Sequence, residues 1–424
     1  MRVLFITTFG LQIEKEHYFT MGVYRALMEN CLHNDVELHL GTIYTRGECE
    51  HHHAGKIHDI HLSGTDGFSE QNQKALRMWI QNIAPDVIHS NMVEGFEIKA
   101  AKDLGIPIFN TIHIGGVLCP RGGGNGFLDE NNNICSRTIG ARCKYCMVRD
   151  LPFPWIGRIL QSITPKFIKK AIADSDRFFL YLSPLFSFDK RIAGAVKKKD
   201  LLSYSHLIVA NRKLISILEH NGITKNNILL PHGVKERQRL VNKVERPVKF
   251  YYLGRIQYSK GIHIVLDALK DVNNKRYEFH VFGDAEKDGR SQTYMAKVKR
   301  ISRGLNVYFH GYISNDELEK YLYKMNVMIH PAIFLEVYGL TIAEALSMGR
   351  PVIASRCGGA EEQIVDGVNG WLFDPKDVDK LRQIINDIIE NPGIIDRMSS
   401  NATLPHSLEA YTDQLIHHYK NSLN

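Results

Sequence analysis

The segment HPAIFLEVYGLTIAEALSMGRPVIASRCGGAEEQIVDGVNGWLFDP, from His330 to Pro375, holds the residues best suited to chemistry. Glu336 and Glu344 are separated by seven residues, with Tyr338-Gly339 between them and a helical pattern opening at Leu340. Gly339 leaves room for an anion to reach the N–H groups of Leu340 and Thr341 at a helix start, where the dipole favours negative charge. A diphosphate fits such a place. Glu344, one turn into the helix, can accept hydrogen bonds from ribose hydroxyls, whereas Glu336 precedes the helix, where a sugar attached to the phosphate would sit. Two glutamates at this spacing are, taken alone, also what a solvated helix face carries. Gly254-Arg255 follows a strand pattern and Lys260-Gly261 precedes a helical one, so Arg255 and Lys260 can neutralise a phosphate at the strand's carboxyl end.

In this order the elements resemble the retaining, nucleotide-sugar-dependent glycosyltransferases of family 4 (glycosyl transferases group 1), which have the GT-B architecture of two facing Rossmann-like domains. The resemblance rests on G-R-x(4)-K-G, on E-x(7)-E inside P-x(4)-E-x-Y-G-L-x(3)-E-A, on G-x-P-V-I-A and on G-x-N-G-W-L-F. It is strong over residues 247–375 and loose elsewhere. It implies that Arg255 and Lys260 bind the donor diphosphate, that Glu344 binds the ribose and that Glu336 contacts the transferred sugar. Gly283-Asp284 would lie near the base, and Gly339, Leu340 and Thr341 at the phosphates. The family's first strand ends in a Gly-rich turn; here Thr7-Thr8-Phe9-Gly10-Leu11-Gln12 carries Gly10 alone. His113, closing Asn110-Thr111-Ile112-His113, is expected in the cleft beside the donor sugar, so that His113, Glu336, Arg255 and Lys260 form the catalytic set.

The resemblance also implies retention by front-face attack, with the departing phosphate accepting the acceptor's proton. Charge growing on that phosphate is the main thing to stabilise, and two fixed cations with a helix N-terminus can do it with no cofactor required. Asp174-Ser175-Asp176 and Asp377-Val378-Asp379 spell a metal-binding Asp-x-Asp, but neither follows a strand beside the donor elements, and both read as surface pairs.

Cys119, Cys135, Cys143 and Cys146 fall in a Gly- and Asn-rich stretch with few apolar residues. Four thiolates ending in C-x-x-C suit a structural zinc ahead of reduced, unliganded thiols or a disulfide. Cys31, Cys49 and Cys357 read as packed residues, and His51-His52-His53 with His58 and His61 as a polar loop.

The elements that must position these groups come in two series. Strand patterns at Arg2–Thr7, Val36–Ile43, Ile57–Leu62, Asp86–Ser90 and Ile106–Ile112 alternate with helical ones at Tyr18–Asn30, Glu70–Ile83 and Glu94–Leu104. After Pro247, strands at Lys249–Leu253, Tyr277–Phe282, Val307–Phe309, Val327–Ile329 and Val352–Ala354 alternate with helices at Ile262–Lys270, Gln292–Ser302, Asp316–Lys324 and Leu340–Ser347. Such alternation predicts α/β domains with parallel sheets and a ligand cleft at the strands' carboxyl ends. The expected organisation is an acceptor-side domain over 1–235, with a Cys-rich insert at 117–150 and a basic aromatic segment at 151–200. A linker at 236–246, a donor domain over 247–405 and a last helix over 406–424, packing back on the first domain, follow.

Length and composition narrow the function classes. The chain has 424 residues, 44% hydrophobic and 23% charged, and a net charge of +7, which fits a globular protein of two or three domains. Residues 151–250 carry 19 basic and 7 acidic side chains, interleaved with aromatics from Phe153 to Phe188. Such a surface suits either an anionic bilayer or a buried aromatic core beneath solvated lysines. No stretch is long and apolar enough to span a membrane, and the start reads as a strand rather than a signal peptide, so the expected location is the cytoplasm, peripheral on the inner membrane face. The expected activity is transfer of a hexose-type sugar from a UDP- or GDP-sugar to a glycan or lipid-linked glycan in bacterial surface polysaccharide assembly, with no nucleic-acid partner. The alternatives are a sugar synthase or phosphorylase on a soluble acceptor and a zinc-containing nucleic-acid-binding protein.

Overall fold

The computed structural model describes residues 1–7, 19–33, 35–44, 56–63, 66–91, 95–121, 127–129, 131, 133–135, 137–140, 142–149, 188–235, 237–239, 244–403 and 405–423. Gly10, the tract His51-His52-His53, Asp174-Ser175-Asp176 and the aromatic stretch up to Ser187 lie outside the described residues.

Two parallel sheets organise the chain. The first contains β1 (Arg2–Thr7), β2 (Glu37–Tyr44), β3 (Lys56–His61), β4 (Val87–Ser90), β5 (Ile108–Thr111), β6 (His206–Val209) and β7 (Asn227–Leu229) in the order β3-β2-β1-β4-β5-β6-β7. The second contains β8 (Val248–Leu253), β9 (Tyr277–Phe282), β10 (Val307–Gly311), β11 (Val327–His330), β12 (Val352–Ser355) and β13 (Gly370–Phe373) in the order β10-β9-β8-β11-β12-β13. Helices on both faces bury the central strands, so β4, β11 and β12 are buried throughout, as doubly wound parallel sheets require. In each sheet the order reverses once, between β1 and β4 and between β8 and β11. A crevice opens at the carboxyl ends of such neighbours because their connections leave on opposite faces.

The expected strands Arg2–Thr7 and Tyr277–Phe282 and the helices Glu70–Ile83 and Leu340–Ser347 have the same bounds in the structure. Unanticipated were β6, β7 and β13 and the helices Phe188–Leu202, Arg212–His220, Val378–Glu390 and Gly393–Ser400. Asp377-Val378-Asp379 proves to be a helix start: the Asp377 carboxylate accepts from the Lys380 N–H at 2.9 Å, and Asp379 pairs with Arg382.

The last helix, Leu408–Asn421, leaves the second domain and packs on the first. Asn30 Nδ2 donates to Thr412 Oγ1 at 2.6 Å, and the Tyr419 hydroxyl meets His89 Nδ1 at 2.5 Å inside the core. The chain thus crosses between the domains twice, and the crossings touch where Val234 bridges to Ser407.

A direct contact between the domains is built on one capping residue. Asn211 opens the helix Arg212–His220, where its Oδ1 accepts from the Leu214 N–H at 2.7 Å, while its Nδ2 donates across the crevice to the Val337 carbonyl at 2.5 Å. Its neighbours Arg212 and Lys213 pair with Glu362 and Glu361. Because Asn211 is fully buried, Asn211→Ala removes a cap and strands a buried carbonyl, a loss of about 1–3 kcal/mol. Chemical denaturation should show this as a lower midpoint; an unchanged midpoint would mean that the contact does not hold the domains together.

Candidate active site

The second domain contributes a cation, a carboxylate and a helix mouth at its switch point. After β8 the chain makes a single 3-10 turn, Tyr258–Lys260, that Gly261 closes at φ +74°. The Ser259 carbonyl accepts from the Ile333 N–H at 2.8 Å, tying this turn to the loop that follows β11. Lys260 and Glu336, 76 residues apart in sequence, thereby meet: Lys260 Nζ donates to Glu336 Oε2 at 2.6 Å and lies 4.7 Å from the Phe334 ring centroid. Glu336 is fixed through its backbone, donating to the Cys357 carbonyl and accepting from the Gly359 N–H.

Burial alone would push the Glu336 carboxyl up, but the Lys260 ammonium and His330 outweigh it and bring it down to about 2. Glu336 is therefore a carboxylate at any working pH. His330, at the end of β11, is 2% exposed, lies 3.4 Å from Glu336 and is held neutral by burial.

Gly339, at φ +82°, is the N-cap of the helix Leu340–Ser347. The first N–H groups of a helix have no intrahelical acceptor, so Leu340 and Thr341 present donors beside Glu336. Glu344 stands one turn further on. Burial pushes its carboxyl up, opposed by Arg237 from the inter-domain segment, whose guanidinium lies 3.6 Å away. Gly283 sits at the end of β9, where an added Cβ would fall 2.0 Å from the Gly254 carbonyl oxygen; the carboxyl ends of β8 and β9 can pack this closely only with a glycine.

Arg255 is placed differently from Lys260. Its side chain is 64% exposed and pairs with Glu286, in the loop after β9, and among the described residues no ion pair joins it to Glu336. Lys260 is the more enclosed of the two cations, and Arg255 the more exposed.

The first domain faces this site with His113, just beyond β5. His113 Nε2 lies 2.7 Å from Asn91 Oδ1, which accepts its proton, and burial lowers the imidazole to about 4, so the ring is neutral. The His113 ring is 5.7 Å from that of His232, which in turn packs edge-on against Tyr338 at 5.4 Å. Two residues past His113, Gly115 approaches Leu335 so closely that a Cβ would come within 2.5 Å of its carbonyl oxygen. The segments that carry His113 and Glu336 thus approach each other from opposite domains. His330, Arg237 and Asn91 were not singled out in the sequence. His330 stands at the head of the informative segment, but nothing in spacing distinguishes it from a packed histidine.

Among the described residues no disulfide joins the four cysteines of the insert. Burial raises Cys119 and Cys135, with a smaller upward push on both from Cys143, so these three are near neighbours; Cys146 is buried on the helix Cys143–Arg149. Among the described residues no group of three or more His, Cys, Asp or Glu side chains is arranged to hold a metal ion. Among them, too, no helix is long and apolar enough to cross a membrane. Lys197, from the basic stretch, is exposed and lies 3.6 Å from the Phe68 ring centroid.

Comparison with known proteins gives the same picture. Residues 234–404 match the family described as Glycosyl transferases group 1. The chain is 27% identical over 241 residues to an uncharacterized glycosyltransferase of Methanocaldococcus jannaschii, covering 57% of this chain and 66% of that protein. It is 32% identical over 159 residues to the lipopolysaccharide 1,2-N-acetylglucosaminetransferase of Salmonella typhimurium, covering 36% and 41% respectively. The chain thus spans less than two thirds of the length of either curated relative. The structure of Anabaena HepE in complex with UDP superposes with a TM-score of 0.64 at 15% identity, over 99% of this chain and 100% of that one. The whole chain therefore shares the two-domain glycosyltransferase fold, and its second domain is similar to the group 1 glycosyl transferases.

Proposed function

We propose that the protein is a retaining glycosyltransferase of family 4 that moves a hexose-type sugar from a UDP- or GDP-sugar to a glycan or lipid-linked glycan in surface polysaccharide assembly. The observation that carries this reading is the Lys260–Glu336 pair beside the Gly339 helix mouth, facing His113 across the crevice. A nucleoside diphosphate laid on that mouth puts its β-phosphate at the first-turn N–H groups and within reach of Lys260, and its ribose over Glu344. The sugar then projects toward Glu336 and His113, which can hold its hydroxyls. The UDP complex of HepE and the lipopolysaccharide-modifying relative support the donor and acceptor classes.

As the bond from the anomeric carbon to the phosphate oxygen breaks, negative charge grows on the diphosphate and positive charge on the ring. Lys260 and the helix N-terminus stabilise the first, and Glu336, ionised throughout, the second. The acceptor hydroxyl attacks from the face the diphosphate leaves, and its proton passes to the departing phosphate oxygen, so configuration is retained. His113, neutral, serves as a hydrogen-bonding group rather than a base. With a fixed cation and a helix N-terminus at the leaving group, the proposal needs no cofactor.

The test is a panel of UDP-, GDP- and dTDP-sugars assayed for slow donor hydrolysis, with and without excess chelator. Hydrolysis of one donor that persists in chelator is expected. Inactivity on the whole panel counts against the transferase, and complete, metal-reversible loss counts against the cofactor-free mechanism.

A further inference from the structure

The two site carboxylates are supplied with counter-charge from different places. Glu336 has Lys260 of its own domain at 2.6 Å. Glu344 has Arg237, which belongs to the segment joining the domains: one guanidinium nitrogen lies 3.6 Å from Glu344 and another 3.4 Å from Glu319. Arg237 Nε is buried without a hydrogen-bond partner, and the side chain is 12% exposed.

Its placement is enforced on both sides. Before it, the Val234 N–H donates to the His406 carbonyl; after it, the Gln238 carbonyl accepts from the Tyr323 hydroxyl at 2.9 Å, and Arg239 donates to the Ala402 carbonyl at 3.1 Å. Glu319 is held in turn by the Tyr323 hydroxyl at 2.5 Å. Among the described residues, Tyr251 on β8, kept neutral by burial, also senses Glu344, and Arg350 lies near Tyr251 and Tyr323. Glu344 still shows 29% of its side chain, so a ligand can reach the carboxylate without displacing Arg237.

We propose that Arg237 is a positioning residue for the donor, holding the Glu344 carboxylate charged and aimed so that it accepts from both ribose hydroxyls. This rests on the nucleotide-sugar reading above. A protonated carboxyl gives up one oxygen to donation and accepts more weakly, whereas a carboxylate can take one hydroxyl of a diol on each oxygen. Burial favours that protonated form, and the guanidinium opposes it, so the inter-domain segment sets the ribose preference of the second domain.

Calorimetric titration of the full chain with UDP and GDP, each beside its 2′,3′-dideoxy form, at pH 7 and pH 9, tests this. The wild type should favour the ribose form of one nucleotide by about tenfold or more at both pH values. Arg237→Gln and Arg237→Ala should weaken that preference, and more at pH 7 than at pH 9, because burial then raises the Glu344 carboxyl with no guanidinium to oppose it; Arg237→Lys should keep it. Thermal melts confirm that each variant folds, and the Gln variant serves if the Ala variant does not. A folded Gln variant with an unchanged preference at pH 7, or one lost equally at both pH values, overturns the proposal. Equal wild-type binding of the ribose and dideoxy forms overturns it too while leaving the nucleotide reading intact. Absence of binding by the wild type removes both.

Discussion

Lys260→Ala should lower kcat/KM by roughly 100-fold or more, on the order of 3 kcal/mol for a charge contact that strengthens in the transition state. The ammonium is the more enclosed of the two cations, paired with Glu336 and backed by Phe334. Its loss removes charge from the departing diphosphate and also leaves Glu336 buried with only His330 beside it. The pressure of burial on that carboxyl then goes unopposed, so its pKa rises from about 2. A depressed carboxylate keeps its charge until the pH falls through its own pKa; one that has risen loses it sooner. The residual activity of the variant should therefore increase with pH across a range where the wild type is flat. Steady-state kinetics over pH, with a melt to confirm folding, give the answer, and near-normal kcat/KM in a folded variant would remove Lys260 from the mechanism.

Gly261→Ala should be nearly as damaging through geometry alone. An added Cβ would lie 1.9 Å from the Pro331 carbonyl oxygen, a backbone atom that cannot swing aside, at a residue whose φ is +74°. Positive φ in a non-glycine residue costs of order 1–3 kcal/mol even without the clash, so a loss of more than about 3 kcal/mol is expected. Pro331 leads into the loop that carries Glu336, so relief of the clash moves Glu336 away from Lys260. Unfolding midpoints and donor hydrolysis measured together should both fall. A stable variant that had lost hydrolysis would show that the backbone yields locally at the expense of the pair, whereas a stable, active one would show that the close approach is not needed.

How much of this was legible beforehand depends on distance along the chain. Strands flanked by turn residues and carrying long β-branched or aromatic runs, such as Tyr277–Phe282, were readable to the residue. His206–Val209 and Asn227–Leu229 are four and three residues long and gain their stability from pairing with β5 and with each other, so their sequence carries little local preference. Within the site, the Glu336–Gly339–Glu344 spacing was informative because one loop and one helix turn fix it. The Arg255–Lys260 spacing says less, since a turn separates the side chains and their partners differ: Glu286 for Arg255, Glu336 for Lys260. Arg237 lies in the stretch that reads as a linker, and only tertiary placement sets it against Glu344 on a distant helix.

The paired crossings at Val234 and Ser407 have a mechanical meaning. Two strands of backbone bonded side by side act like the pin of a door: the domains can swing about that line, but sliding or twisting would have to tear Val234 from His406 and Ser407. Arg237, three residues from the pin, is close enough to that line to move little against Glu344, 3.6 Å away.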